Sequence, residues 1–277
     1  MLRKRVITAL WGFPLLVAAI WFDQSLPWFT TLAAICGVLA VIEFYRLVTL
    51  SRALPLIRFG ALWVLLFILS RDSRLLGMIG PYFDLNLMTP LLFTSAVLLP
   101  LIWIPLQRQK EKTFAGWAWT VAGILYVGWL VSYLVALRGM DDGRNWVFFA
   151  FFTTFASDTM AFFVGRALGK NRLAPSISPN KTREGTIGGI LGAAGVSLLF
   201  LLPTPLHLNL HWGQALLLGF LVSIFGQCGD LAESLFKRNM RVKDSGNIMP
   251  GHGGLLDRLD SILFAGIVVY YYVLWTT

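Results

Sequence analysis

The chain has 277 residues, 57% of them hydrophobic and only 13% charged, with a mean hydropathy of +0.70; a soluble domain carries about 25% charged residues, so none is expected here. The formal charge of +9 belongs to membrane topology before it belongs to nucleic acid, and no nucleic-acid partner is expected. Continuous rather than alternating apolar runs exclude an outer-membrane barrel, and Cys36 and Cys228, both inside such runs, give no disulfide framework.

Met1-Leu2-Arg3-Lys4-Arg5 precedes an apolar run over 6–22 with no small-x-small cleavage site after it. This predicts an uncleaved first span rather than a signal peptide. Further apolar runs cover 27–45, 57–70, 87–105, 116–137, 146–164, 186–202, 212–229 and 259–275. Together they predict an all-α polytopic integral membrane protein with about nine transmembrane helices. Residues 1–277 read as one membrane domain, with scaffold spans over 1–137 and the chemistry carried over 146–275. Of the 23 lysines and arginines, all but Arg71, Arg74, Arg138 and Arg144 precede the first span or fall in alternate connections after it. That asymmetry predicts a multi-pass protein of the inner (cytoplasmic) membrane, with its N-terminus and its longest polar connection in the cytoplasm.

An ionisable group inside a span costs at least about 2.5 kcal/mol, so each one needs a reason. Glu43 ends the second span three residues before Arg46, which predicts a helix-end ion pair. Asp158 lies late in the sixth span. Asp230 and Glu233 close the eighth and Asp257 and Asp260 open the ninth, each pair three residues apart and so on one helix face. Lys237, seven residues after Asp230, shares that face. Three spans are thus expected to bring carboxylates to one cytoplasmic face.

Two polar blocks accompany them. Ser178-Pro179-Asn180-Lys181-Thr182 predicts a turn and then a helix start. A cation, a hydroxyl and free backbone N–H groups there suit a phosphate contact, without the glycine-rich form of a Walker loop. Between spans eight and nine stand Lys237, Arg238, Lys243 and Asp244, followed by Pro250-Gly251-His252-Gly253-Gly254. The glycines permit backbone N–H groups to close on phosphate oxygens, and His252 is placed to donate to a phosphate or a carboxylate. Carboxylates from two helices flanking a cationic, glycine-rich loop make a site for a metal ion and phosphates. Gly185, Gly188, Gly189, Gly192 and Gly195 recur at helical spacing in span seven, which predicts close helix packing and permits a homodimer. His207 and His211 stand in an outward connection away from other ligands, and no metal role is expected.

The run from Ser234 to Asp260 resembles the signature of the phosphatidate cytidylyltransferase (CDP-diacylglycerol synthase) family, and Ser157 to Gly185 is similar to its second polar motif. The first five spans resemble that family in hydropathy alone. Two positions depart from the pattern: Met249, where Leu, Ile or Phe is usual, and Arg241, where a small residue is common. The resemblance implies transfer of a cytidylyl group from CTP to phosphatidate, giving CDP-diacylglycerol and pyrophosphate within a membrane of lipids. It implies a site built around Mg2+ on Asp230 and Asp257, with K+ as a second cation and Asp158, Glu233 and Asp260 in the ring beyond the ligands. Catalytic roles are then expected at Asp230, Asp257, Lys237, Arg238, Lys243, Asp244 and His252, and phosphate contacts at Lys181, Thr182, Ser178, Arg258, Gly253 and Gly254. The rival readings are a CTP-dependent polyprenol or phytol kinase and a non-enzymatic transporter. Polar groups crowded on one face rather than at the midplane weigh against the transporter.

Overall fold

A computed structural model describes residues 2–23, 26–104, 110–246, 248–249 and 253–276. Each predicted apolar run coincides with a helix over most of its length. In chain order these are α1 (Leu2–Trp21), α2 (Trp28–Thr49), α3 (Ile57–Leu69), α4 (Ser73–Ile79) and α5 (Leu85–Trp103). Then come α6 (Lys110–Gly123), a π-helical segment (Ile124–Trp129) and α7 (Leu130–Arg138), followed by α8 (Gly143–Leu168). A hairpin of β1 (Arg172–Ala174) and β2 (Ser178–Thr182) leads into α9 (Arg183–Leu199), α10 (Trp212–Asn239) and α11 (Leu256–Thr276).

The protein is therefore an all-α polytopic membrane protein with one small hairpin. Among the described residues, six helices are long and apolar enough to cross a bilayer: α2, α5, the continuous Lys112–Arg138 helix, α8, α10 and α11. Helix α3 has 13 residues and α9 has 17, fewer than a perpendicular crossing needs, so length alone supports fewer than nine spans.

The chain forms two compact units. The first comprises Met1–Gly139 and Asp244–Asp257; the second comprises Met140–Lys243 and Arg258–Thr277. In the first unit, Tyr45 of α2 is fully buried, and Gly60 of α3 and Gly123 of α6 leave the space its ring occupies. Its hydroxyl donates to the Thr120 carbonyl at 2.7 Å, while Thr120 Oγ1 accepts from Leu56 N–H at 2.8 Å. These contacts fix the rotation of α2. Glu43, two residues earlier and so about 200° around the helix, faces away from α3 and α6. At the other end of this unit, Asp23 pairs with Arg74 at 3.3 Å and Arg138 at 3.7 Å. Nearby, the Arg71 guanidinium lies 4.8 Å from the centre of the Trp129 ring, a cation–π contact.

In the second unit, the glycines of α9 lie against α8. A Cβ on Gly185 would meet the Ala161 carbonyl, on Gly188 the Val164 side chain, on Gly189 the Ser157 carbonyl and on Gly192 Met160. The packing expectation holds for these four glycines, and their partner is α8 of the same chain. Ser157 of α8 and Ser223 of α10 share a hydrogen bond of 2.7 Å, with Gln227 donating to Ser223 at 3.0 Å. These polar contacts join buried helix faces that apolar packing alone would leave free to slide.

Candidate active site

The second unit gathers most of the predicted polar residues. Asp158 of α8, Asp230 and Glu233 of α10 and Asp260 of α11 interact electrostatically as one group, with Lys181, Lys237 and Arg258 as counter-charges. Lys181 Nζ lies 2.6 Å from Asp230 Oδ2, and Asp230 Oδ1 accepts from Ser234 Oγ at 3.3 Å. Lys237 Nζ stands 3.4 Å from Glu233 Oε2, one helical turn back; Glu233 is 1% exposed and Lys237 9%. Asp260 is buried, and its Oδ1 accepts from Ser261 N–H at 2.7 Å. Among the described residues, carboxylates of three helices thus share one neighbourhood, four of them with three cations. Such an arrangement attracts a further cation and holds phosphate through its lysines.

Lys181 is delivered by the hairpin. The predicted turn over Ser178–Thr182 is instead strand β2, paired antiparallel with β1 in the register Arg172 opposite Thr182 and Ala174 opposite Ser178, with an irregularity between. Extended Pro179 is tolerated because a two-stranded hairpin has free edges. The predicted helix start is present: Thr182 Oγ1 caps α9 by accepting Gly185 N–H at 3.1 Å. Glu184, in the first turn, accepts from the Asn171 side chain at 2.7 Å and from the N–H groups of Asn171 and Lys170 at 3.2 Å. Backbone N–H groups, its own first, and the Asn171 amide hold this carboxyl below its ordinary range. Arg238 Nε donates to the Ile177 carbonyl at 3.1 Å and its Nη1 to the Val242 carbonyl at 3.4 Å, so its guanidinium also braces the hairpin. Lys243 is exposed. His211, outside the site, caps α10 in a capping box with Gln214.

The first unit holds the other predicted residues. Asp257 accepts from Ser245 N–H, at 3.2 Å to Oδ1 and 3.0 Å to Oδ2, and from Gly254 N–H at 2.9 Å. Gly253 has φ +87°, a left-handed conformation that admits glycine without strain. Asp244 lies exposed beside it. His252, together with Asn247, Pro250 and Gly251, lies outside the described residues.

Glu43 overturns one expectation. It is 2% exposed and forms no ion pair with Arg46; its Oε2 accepts from Leu256 N–H at 2.9 Å and Ser245 Oγ at 3.3 Å. An acidic side chain within a span was the available signal. Three-residue spacing to an arginine offered a local partner, and nothing in the spacing pointed 202 or 213 residues ahead.

Among the described residues, no group of three or more His, Cys, Asp or Glu is arranged to hold a metal ion by itself. The donors present nevertheless suit Mg2+, which prefers oxygen and commonly takes one or two carboxylates, with water and substrate phosphates completing its octahedron. Asp230 and Asp257 each offer hard oxygen donors of that kind.

The chain matches the cytidylyltransferase family over residues 3–276. It is 42% identical over 177 residues to the phosphatidate cytidylyltransferase of Bacillus subtilis (strain 168), a match covering 64% of this chain and 65% of that protein. It is 44% identical over 156 residues to the phosphatidate cytidylyltransferase of Staphylococcus haemolyticus (strain JCSC1435), covering 56% of this chain and 58% of the relative. Each match therefore spans less than two thirds of the relative's length.

Proposed function

Since the chain belongs to the cytidylyltransferase family, we propose that it is a Mg2+-dependent phosphatidate cytidylyltransferase, converting CTP and phosphatidate to CDP-diacylglycerol and pyrophosphate. Relatives of that name share 42–44% of the matched residues. The observation that carries the reading in the structure is the shared cluster of Asp158, Asp230, Glu233 and Asp260 with Lys181 and Lys237.

In this reaction a phosphate oxygen of phosphatidate forms a bond to the α-phosphorus of CTP. The bond from that phosphorus to the bridging β-phosphate oxygen breaks, and pyrophosphate leaves. Two anions must meet, so neutralising and aligning them is the principal task. The nucleophile is already largely ionised near neutral pH, so no strong base is needed. Lys181 presents its ammonium from the hairpin, with Thr182 beside it at the cap of α9 and Ser178 at the other end of β2. Lys237, Arg238, Lys243 and Arg258 supply further positive charge for phosphates, with Gly253 and Gly254 letting backbone N–H groups approach. Mg2+ would be held by Asp230 and Asp257, where it would neutralise triphosphate oxygens. Asp158, Glu233, Asp260 and Asp244 would tune the surrounding field and help hold cations, K+ among them. The basic connections suit a cytoplasmic site in the inner membrane that an anionic lipid enters from its leaflet.

The test uses the full chain purified in detergent with phosphatidate, Mg2+ and each of the four nucleoside triphosphates. Label at the α-phosphorus of CTP is expected in the lipid product. Label arriving from the γ-phosphorus instead would replace this reading with a lipid kinase. Asp230→Asn and Asp257→Asn are each expected to abolish turnover in a protein that remains folded, and retained activity removes that residue from the metal site.

A further inference from the structure

The signature loop is closed at its neck by two carboxylates from opposite ends of the sequence. Asp257 binds the N–H groups of Ser245 and Gly254. Glu43, from α2, binds the side chain of Ser245 and the N–H of Leu256. Both therefore grip the same two stretches, 245 and 254–256. The fit around Glu43 is close. A Cβ on Gly246 would meet only Glu43 atoms at its three nearest contacts, and one on Gly254 would run into Ser245 Oγ and Glu43 Oε2. Glu43 Oε1 is buried with no hydrogen-bond partner among the described residues.

We propose that Glu43 is a positioning residue for the reaction: it holds Ser245 and the start of α11, and through them sets the aim of Asp257 and of Gly254. This rests on the activity proposed above. A carboxylate inside a span is retained only where it is satisfied or useful, and Glu43 is spent on the loop rather than on neighbouring Arg46. The division of labour has a reason. Asp257 is asked both to tie the loop and to ligate a cation, and each task competes for the direction of the same carboxylate. With Glu43 tying the same neck independently, Asp257 can turn toward a cation without the loop opening. Misplacement by ~1 Å is enough to cost roughly 100-fold in rate, so the hold on the neck governs kcat before it governs folding.

The test compares Glu43→Ala, Glu43→Gln and Gly246→Ala in the full chain, by steady-state kinetics, thermal midpoint and amide hydrogen exchange. Glu43→Ala is expected to lower kcat by roughly 100-fold, with the thermal midpoint little changed. Exchange should rise at Leu256 and across the 245–256 segment, while the helix around Tyr45 stays protected. Glu43→Gln keeps an oxygen that accepts both hydrogen bonds and should retain most of the activity. Because the three atoms nearest the added methyl of Gly246→Ala all belong to Glu43, the double variant with Glu43→Ala should be no worse than Glu43→Ala alone. Wild-type kcat and exchange in Glu43→Ala overturn the proposal. So does a fallen thermal midpoint with unchanged kcat per folded molecule, and so do multiplying losses in the double variant. If Glu43→Ala does not fold, Ser245→Ala decides by the same readouts: an intermediate loss supports the role and wild-type values overturn it. A wild-type protein without cytidylyl transfer overturns the activity reading, and the exchange comparison then still decides whether Glu43 holds the loop.

Discussion

Arg241 has an explanation at the scale of a single residue. Helix α10 ends in a Schellman motif: Val242 N–H donates to the Lys237 carbonyl and Arg241 N–H to the Arg238 carbonyl, both at 3.0 Å. The residue at the turn of that motif must enter the left-handed region, and Arg241 does so with φ +58°. A side chain there costs about 1 kcal/mol, which glycine avoids. That cost is a physical reason for the small residue which the family resemblance implies at this position. Arg241→Gly is therefore expected to raise the thermal midpoint by an amount equivalent to about 1 kcal/mol, measured in detergent; a lower midpoint would mean that the arginine makes a compensating contact. The sequence marked Arg241 as unusual without supplying the cause, because backbone conformation is not written in spacing. Thr182 was readable as a helix start, since capping is a local event within four residues. Glu43 was misread for the opposite reason: its partners, Ser245 and Leu256, are brought to it only by the fold. Local signals survive in a sequence, and contacts between distant segments do not.

Among the elements, α9 and its hairpin carry separate tests. The glycine stripe was legible as a packing face, but which helix it meets required coordinates. Gly188 lies against Val164 and Gly192 against Met160, whereas nothing lies within 4 Å of a Cβ on Gly195. Substituting leucine at Gly188 or Gly192 should cost at least about 1–3 kcal/mol by overpacking, and leucine at Gly195 should be tolerated. Thermal unfolding of the three variants checks this, and equal behaviour would mean that α8 does not pack there. The hairpin is anchored to α9 through Glu184, whose carboxyl is held below its ordinary value of 4.5 chiefly by backbone N–H groups. The sign follows: the charged form is favoured by folding, so the anchor is complete above pH 4.5 and weakens as pH falls through and below that value. A spin label at exposed Ser176 should be immobile near pH 6 and mobilised in acid, and Glu184→Gln should be mobile throughout. A label with one mobility across that range in both proteins would exclude Glu184 as the anchor. Lys181, on the same hairpin, would feel such a loosening directly.

The whole molecule is organised by where its charges lie. Three of the four basic residues on the sparse side, Arg71, Arg74 and Arg138, sit at one end of the first unit: Arg74 and Arg138 on Asp23, and Arg71 over Trp129. Asp23 follows the first apolar run, Arg71 and Arg74 the third and Arg138 the fifth, so the ends of these alternate runs lie together. Helix α3 stays short by length, yet its end at Ser70 reaches this same place through Arg71. From this, single cysteines on a background lacking Cys36 and Cys228 should divide cleanly. Asp141→Cys should react with a membrane-impermeant maleimide added to intact cells, whereas Lys170→Cys and Lys243→Cys should react only in inverted vesicles or after permeabilisation. Each of these positions is exposed, so access to reagent is limited by the bilayer and not by burial. Labelling of Lys243→Cys from outside would put the loop proposed to bind phosphate on the wrong side for a nucleotide made in the cytoplasm, and the proposed reaction could not then draw on that nucleotide, whatever the charges around Asp230.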